Sequence, residues 1–163
     1  MKHFKIQQKA FSFGGKYIVT DDLGHEEYIG KSKVFSFRKH TTLTDSLGNV
    51  TYQFHKKLFS WKEEFFIHEN GVPSYRLFKN RLSVRSEIFV ESLTDSKAFY
   101  VKGNFWGHEY NFYKGEYKYA SVSKKFPAFA DTYNIQIEPG NNNALVFAVV
   151  IIIDIMKDKR KKS

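Results

Sequence analysis

The residues with the clearest chemical potential are cations set close together along the chain: Lys31 and Lys33, Arg38 and Lys39, Lys56 and Lys57, Lys79 and Arg81, Lys124 and Lys125. Ammonium and guanidinium groups gathered in this way suit anionic partners, phosphate headgroups among them. Residues two apart, such as Lys31 with Lys33 or Lys79 with Arg81, share one face if the segment is a strand. The same pattern on a solvated outer face needs no ligand, because lysines also discourage edge-to-edge strand pairing.

Other chemistry has little to build on. The chain has no Cys, which removes disulfides, thiolate metal sites and cysteine nucleophiles. Its six His residues, at 3, 25, 40, 55, 68 and 108, are scattered, and His108-Glu109 has no second His four residues after the first. Gly14-Gly15-Lys16 lacks the spacing of a phosphate-binding loop, and there is no Gly-x-Ser-x-Gly elbow. Asp21-Asp22 sits at a turn and Glu63-Glu64 at a strand start, so neither carboxylate pair is drawn into a common pocket. No catalytic residue, metal site or cofactor is therefore expected, and the protein reads as a non-enzyme. Asp154 is the one charge inside an apolar run, where a structural hydrogen-bonding role is expected, with ligand binding as the alternative.

The elements that would carry these residues follow from an internal repeat. Lys9-Ala10-Phe11-Ser12-Phe13, Lys33-Val34-Phe35-Ser36-Phe37 and Lys57-Leu58-Phe59-Ser60-Trp61 recur at intervals of 24 residues. Fainter copies follow at Arg81-Leu82-Ser83-Val84, Asn104-Phe105-Trp106 and Lys125-Phe126-Pro127-Ala128-Phe129. Turn signals alternate with them, among them Asp21-Asp22-Leu23-Gly24, Asp45-Ser46-Leu47-Gly48, Glu69-Asn70-Gly71 and Pro139-Gly140. Between turns the chain alternates in the manner of half-buried strands, as in Lys16-Tyr17-Ile18-Val19-Thr20. Six units of two strands predict about twelve antiparallel strands, and equivalent positions in the units could bring the basic pairs to one rim.

The end of the chain is of another kind. Asn141-Asn142-Asn143 precedes an all-apolar run from Ala144 to Ile153, with Asp154, Ile155 and Met156 after it. The asparagines suit a helix N-cap, and Lys157, Lys159 and Arg160 suit the negative end of a helix dipole. A helix apolar on every side must be wrapped. Thirteen residues make about 20 Å of helix, short of the roughly 30 Å bilayer core. A buried core helix is expected, although the β-branched run Val149 to Ile153 keeps a last buried strand open as the alternative. The expected architecture is one mainly β domain, residues 1–157: an antiparallel closed β-barrel around a central C-terminal helix of about 142–157, followed by a basic tail, 158–163. The net charge is +9, and the last seven residues carry five of the basic groups.

These features resemble the LURP-one-related proteins of the Tubby C-terminal-domain-like superfamily, which includes the phospholipid scramblases. The resemblance rests on the Lys-x-Phe-Ser-aromatic repeats and the Asp-x-x-Gly hairpins. It rests further on Lys102-Gly103-Asn104-Phe105 with His108-Glu109-Tyr110, Lys124-Lys125 leading to Asp131-Thr132-Tyr133, and the apolar helix interrupted by Asp154. It covers nearly the whole chain. It implies a twelve-stranded barrel around a central helix, and a module that binds anionic phospholipid, phosphoinositide above all, through surface cations, or that binds a protein partner. The sequence departs from the scramblase pattern in having no Cys for acylation and no proline-rich N-terminal region, which argues against scrambling itself. A tail-anchored or scramblase-like lipid-associated protein is the alternative. No secretory signal is evident, so a cytoplasmic place is expected, peripheral at the membrane if lipid is bound. Nucleic acid is not an expected partner, since no recognised motif is present, and a monomer is the default.

Overall fold

The computed structural model describes residues 1–9, 15–33, 40–79, 87–124 and 132–161, with side chains as far as Lys157. Twelve strands precede one helix: β1 (Lys2–Lys9), β2 (Lys16–Asp21), β3 (Glu26–Ser32), β4 (His40–Asp45), β5 (Val50–Lys56), β6 (Glu64–Glu69), β7 (Val72–Lys79), β8 (Glu87–Ser92), β9 (Ala98–Asn104), β10 (Glu109–Lys114), β11 (Tyr117–Lys124), β12 (Thr132–Ile137) and α1 (Asn143–Lys161). Each strand pairs antiparallel with its chain neighbours, and β1 pairs with β12, so the sheet closes on itself. Closure leaves no edge. The twelve-stranded barrel expected from the repeat is the one found.

The repeat is visible in the local physics of the hairpins. Asp21 Oδ1 accepts from the backbone N–H of Leu23 and His25, at 2.9 and 2.8 Å. Asp45, in the next unit, accepts from Leu47 and Asn49 at 3.0 and 2.8 Å. Gly24 and Gly48 then take φ of 87° and 86°, a left-handed conformation that a side chain would resist. Close to these turns the register slips by one residue at Val19/Thr20, Leu43/Thr44, Ile67/His68 and Phe112/Tyr113. Bulges at equivalent heights add the twist and bend that a closing sheet requires.

Alternation supplies the core. Ile6, Tyr17, Val19, Leu43, Phe54, Ile67, Leu77 and Val101 point inward and are buried, and α1 fills the space that they enclose. Val146 to Ile153 of the helix are buried on every side, which resolves the helix-or-strand alternative in favour of the helix. Asn142 caps it: its Oδ1 accepts from Leu145 N–H at 3.0 Å, and its Nδ2 donates to the Tyr52 hydroxyl at 2.8 Å. Burial pushes the Tyr52 hydroxyl up to about 12. Among the described residues no helix is long and apolar enough to cross a membrane.

Rod and wall meet closely at Gly30. A Cβ there would lie 3.1 Å from Ile151 Cδ1 and 3.4 Å from Tyr17 Cβ. Gly30→Leu is expected to lower stability in urea unfolding by about 1–3 kcal/mol through overpacking. Ile151→Val removes the opposing methyl, so the double variant should recover part of the loss, and purely additive effects would show that the two do not meet.

Candidate functional site

The two ends of the barrel differ in construction. The turns after β2, β4, β6, β8 and β10, and the entry to α1, lie at one end; the connections after β1, β3, β5, β7, β9 and β11 lie at the other. The helix enters at the turn end, so its C-terminus reaches the connection end. Because the described copies of the repeated segment start at Lys9, Lys33, Lys57 and Asn104, at or just beyond the ends of β1, β3, β5 and β9, the cations beside them fall at the connection end as well.

Lys31, Lys33, Lys56, Lys57, Lys79 and Lys124 all stand at this rim, at or just beyond the ends of β3, β5, β7 and β11. Arg38, Lys39, Arg81 and Lys125 lie outside the described residues. The six do not share one face. Lys31 takes the outward phase beside inward Gly30 and Lys57 the outward phase of His55, whereas Lys56, Lys79 and Lys124 keep the inward phase of Phe54, Leu77 and Val122 and so stand around the mouth. Lys33 continues β3 outward, its N–H donating to the His40 carbonyl at 3.0 Å. Lys57 is also committed to an ion pair, 3.2 Å from Glu64, which Arg76 approaches from the other side at 3.4 Å.

The register adds cations that the pairwise sequence pattern passes over. Lys9 lies opposite Lys16, and Lys16 opposite Lys31, giving a row of three lysines across the outer face of β1, β2 and β3. Like charges directly opposite one another destabilise a sheet pair, and an anion laid across them reverses that cost. Lys102 is at the same end, paired with Glu87 at 3.0 Å. Acidic residues gather at the other end, with Asp21, Asp22, Asp45, Glu69, Asp95, Glu116 and Glu138 in or beside the tight turns. The described charge is therefore separated along the barrel axis, and the connection end is the basic pole.

Among the described residues the most exposed aromatics lie at the same pole, whereas Tyr117, 57% exposed, lies at the turn end. In the β5–β6 connection Phe59 and Trp61 are 102% and 95% exposed, and Trp106 in the β9–β10 connection is 55% exposed. Phe59 also has φ of 58°. A bulky side chain in that left-handed region costs on the order of 1–3 kcal/mol, and burial returns nothing to an exposed ring. Ser60 shapes the loop: its Oγ accepts from Lys62 N–H at 3.2 Å. Neither aromatic stood out in the sequence, although both belong to the Lys57-Leu58-Phe59-Ser60-Trp61 copy of the repeat.

Inside the mouth the helix end carries polar groups. Asp154 is buried and accepts from the Tyr17 hydroxyl at 2.9 Å and from the Tyr133 hydroxyl, which is the structural role expected of it. Its charge adds to burial in pushing the Tyr110 hydroxyl well up. Lys157, also buried, places Nζ 2.9 Å from His108 Nδ1, and His108 has a left-handed φ of 56°. A shallow cleft beside them is lined by Lys79, Ile88, Phe105, Trp106, Met156 and Lys157. Among the described residues no group of three or more His, Asp or Glu is placed to hold a metal ion.

Comparison with known proteins agrees with this architecture. No curated protein matches the chain. A solved crystal structure of a protein from Arabidopsis thaliana is similar in fold, with a TM-score of 0.70 and 18% identity, over 95% of this chain and 91% of that one. The family model described as LURP-one-related matches residues 2–154. With the match running from the first strand to the buried aspartate of the central helix, the chain belongs to the LURP-one-related family.

Proposed function

We propose that the protein is a non-enzymatic binding module that docks its basic pole on anionic phospholipid at a membrane surface, the cytoplasmic leaflet being the expected one. The observation that carries this reading is the row Lys9–Lys16–Lys31, set by strand register at the end that also presents Phe59 and Trp61. A basic surface near an anionic bilayer gains about 1 kcal/mol per cation, and aromatic rings favour the headgroup layer. The likeness to Tubby-like phosphoinositide binders, noted from the sequence motifs, points the same way. The non-enzymatic part has support in the interior, which the side chains of α1 occupy where a barrel enzyme would hold substrate.

Vesicle flotation tests the reading. The protein should rise with vesicles containing phosphatidylserine or a phosphoinositide, and remain behind with pure phosphatidylcholine. Lys16→Glu with Lys31→Glu should lower the bound fraction more than tenfold at low salt, because each reversal removes one attraction and adds one repulsion. Equal and negligible flotation on every composition at low salt would dispose of the lipid reading and leave a protein partner as the object of search.

A further inference from the structure

We infer that the β5–β6 connection is an insertion loop, whose Phe59 and Trp61 enter the headgroup–acyl boundary of the bilayer on which the basic pole rests. The inference depends on the docking reading and adds to it that attachment is part apolar and specific to a lipid surface, as opposed to a soluble phosphate compound.

Three observations lead to it. Phe59 and Trp61 are almost wholly exposed, well beyond Trp106 at 55% and Tyr117 at 57%, whereas inward rings such as Tyr52, Phe54, Phe112 and Tyr133 are each at most 2% exposed. Phe59 adopts φ of 58°, a conformation that a glycine would hold without strain. The loop therefore keeps a large ring where the fold would do better without one, and strain of that kind collects where a side chain is needed for contact with something else. Finally, cations bracket the two rings: Lys57, which opens the loop and pairs with Glu64, and Lys62, which Glu63 follows. Aromatic rings between lysines match the layered chemistry of a bilayer, with phosphate at the surface and hydrocarbon beneath. A free inositol phosphate offers the first layer and lacks the second.

Tryptophan emission reads the insertion directly, since the chain has two tryptophans, Trp61 and Trp106. On anionic vesicles with bromine on the upper acyl carbons, the emission of the full chain should shift to the blue and be quenched. Trp61→Phe should abolish most of the quenching while flotation at low salt holds. Phe59→Ser with Trp61→Ser should cut the salt-resistant bound fraction, measured at 0.5 M salt where the charge attraction is screened, by tenfold or more. Phe59→Gly supplies the control for folding: it should melt no lower than the natural chain, because it relieves the left-handed φ, and yet bind less. A lower melting temperature together with unchanged binding would make the ring a structural part and overturn the inference. Flotation at low salt with unquenched tryptophan and complete release at 0.5 M salt would overturn insertion and leave electrostatic docking standing. Absence of flotation at any salt would remove both.

Discussion

A chain ending at Gly140 is expected to lose cooperative unfolding altogether and to associate through exposed apolar surface. The reason lies in the size of the term removed. Ten apolar side chains of α1, Ala144 to Ile153, are buried in the barrel. At about 1.5–3 kcal/mol for each large side chain fully buried, their burial contributes roughly 15–20 kcal/mol as an upper estimate. Net stabilities of single domains lie at about 5–15 kcal/mol. The strands would also keep their inward rings, among them Phe4 and Tyr28, which pack against Phe147 at 5.0 and 5.5 Å between centroids. Truncation would leave those faces bare around an empty lumen. A urea titration followed by tyrosine fluorescence and circular dichroism checks the expectation: one shared, steep transition for the shortened chain, with sedimentation as a monomer, would mean that the wall stands without its rod. Phe147→Ala is the milder form of the same test, with an expected loss of about 3–5 kcal/mol.

The rod and the wall were legible in the sequence because each obeys a local rule. The Asp-x-Leu-Gly turns at Asp21 and Asp45 use the same two side-chain-to-backbone bonds, so their repetition at 24 residues announces repeated hairpins before any packing is known. The helix is a harder case, since Val149 to Ile153 are β-branched. Here the Asn142 cap and the uniform burial available inside the barrel outweigh intrinsic propensity, which amounts to only tenths of a kcal/mol per residue. Less legible was which face each cation would take. Lys56 and Lys57 are sequence neighbours, yet strand alternation sends one toward the mouth and the other outward to Glu64.

The row of lysines shows why part of the candidate site escaped the sequence. Lys9, Lys16 and Lys31 are spaced irregularly along the chain and become neighbours only through the pairing of β1 with β2 and β2 with β3. Register is a tertiary property, because a slip of one residue would turn each of them inward. Phe59 is a second example of the same limit. Its aromatic type fits the repeat, and only the backbone reveals that it takes a left-handed conformation and lies in the open. The sequence thus marked the end of the barrel where the described cations gather, and the pairing decided which of them stand side by side there.

Asp154→Ala is expected to cost about 3–5 kcal/mol, a large effect for the loss of one carboxylate from a mostly apolar helix. The Tyr17 and Tyr133 hydroxyls both donate to this group, and all three lie at the connection end, where the mouth of the barrel is closed by the last turns of α1. Hydrogen bonds to a charged acceptor contribute about 1.5–3 kcal/mol each, and their loss strands two buried donors. Asp154→Asn should be milder, because its oxygen can still accept from one tyrosine while its nitrogen cannot accept from the other. The cost should also depend on the partners. In Asp154→Leu with Tyr17→Phe and Tyr133→Phe no donor is stranded, so the triple variant should be more stable than Asp154→Leu alone, by an amount that the cycle of single and multiple variants measures. Urea unfolding supplies the numbers. If the triple variant were instead as unstable as the sum of its parts, the carboxylate would be held by something other than these two hydroxyls, and the view of Asp154 as the pin that fixes the helix end within the wall would fail. Because Lys157 lies one turn further along and meets His108, the same pin also bears on where the helix end stands at the connection end, and a loosened Asp154 should disturb the proposed docking only through that displacement.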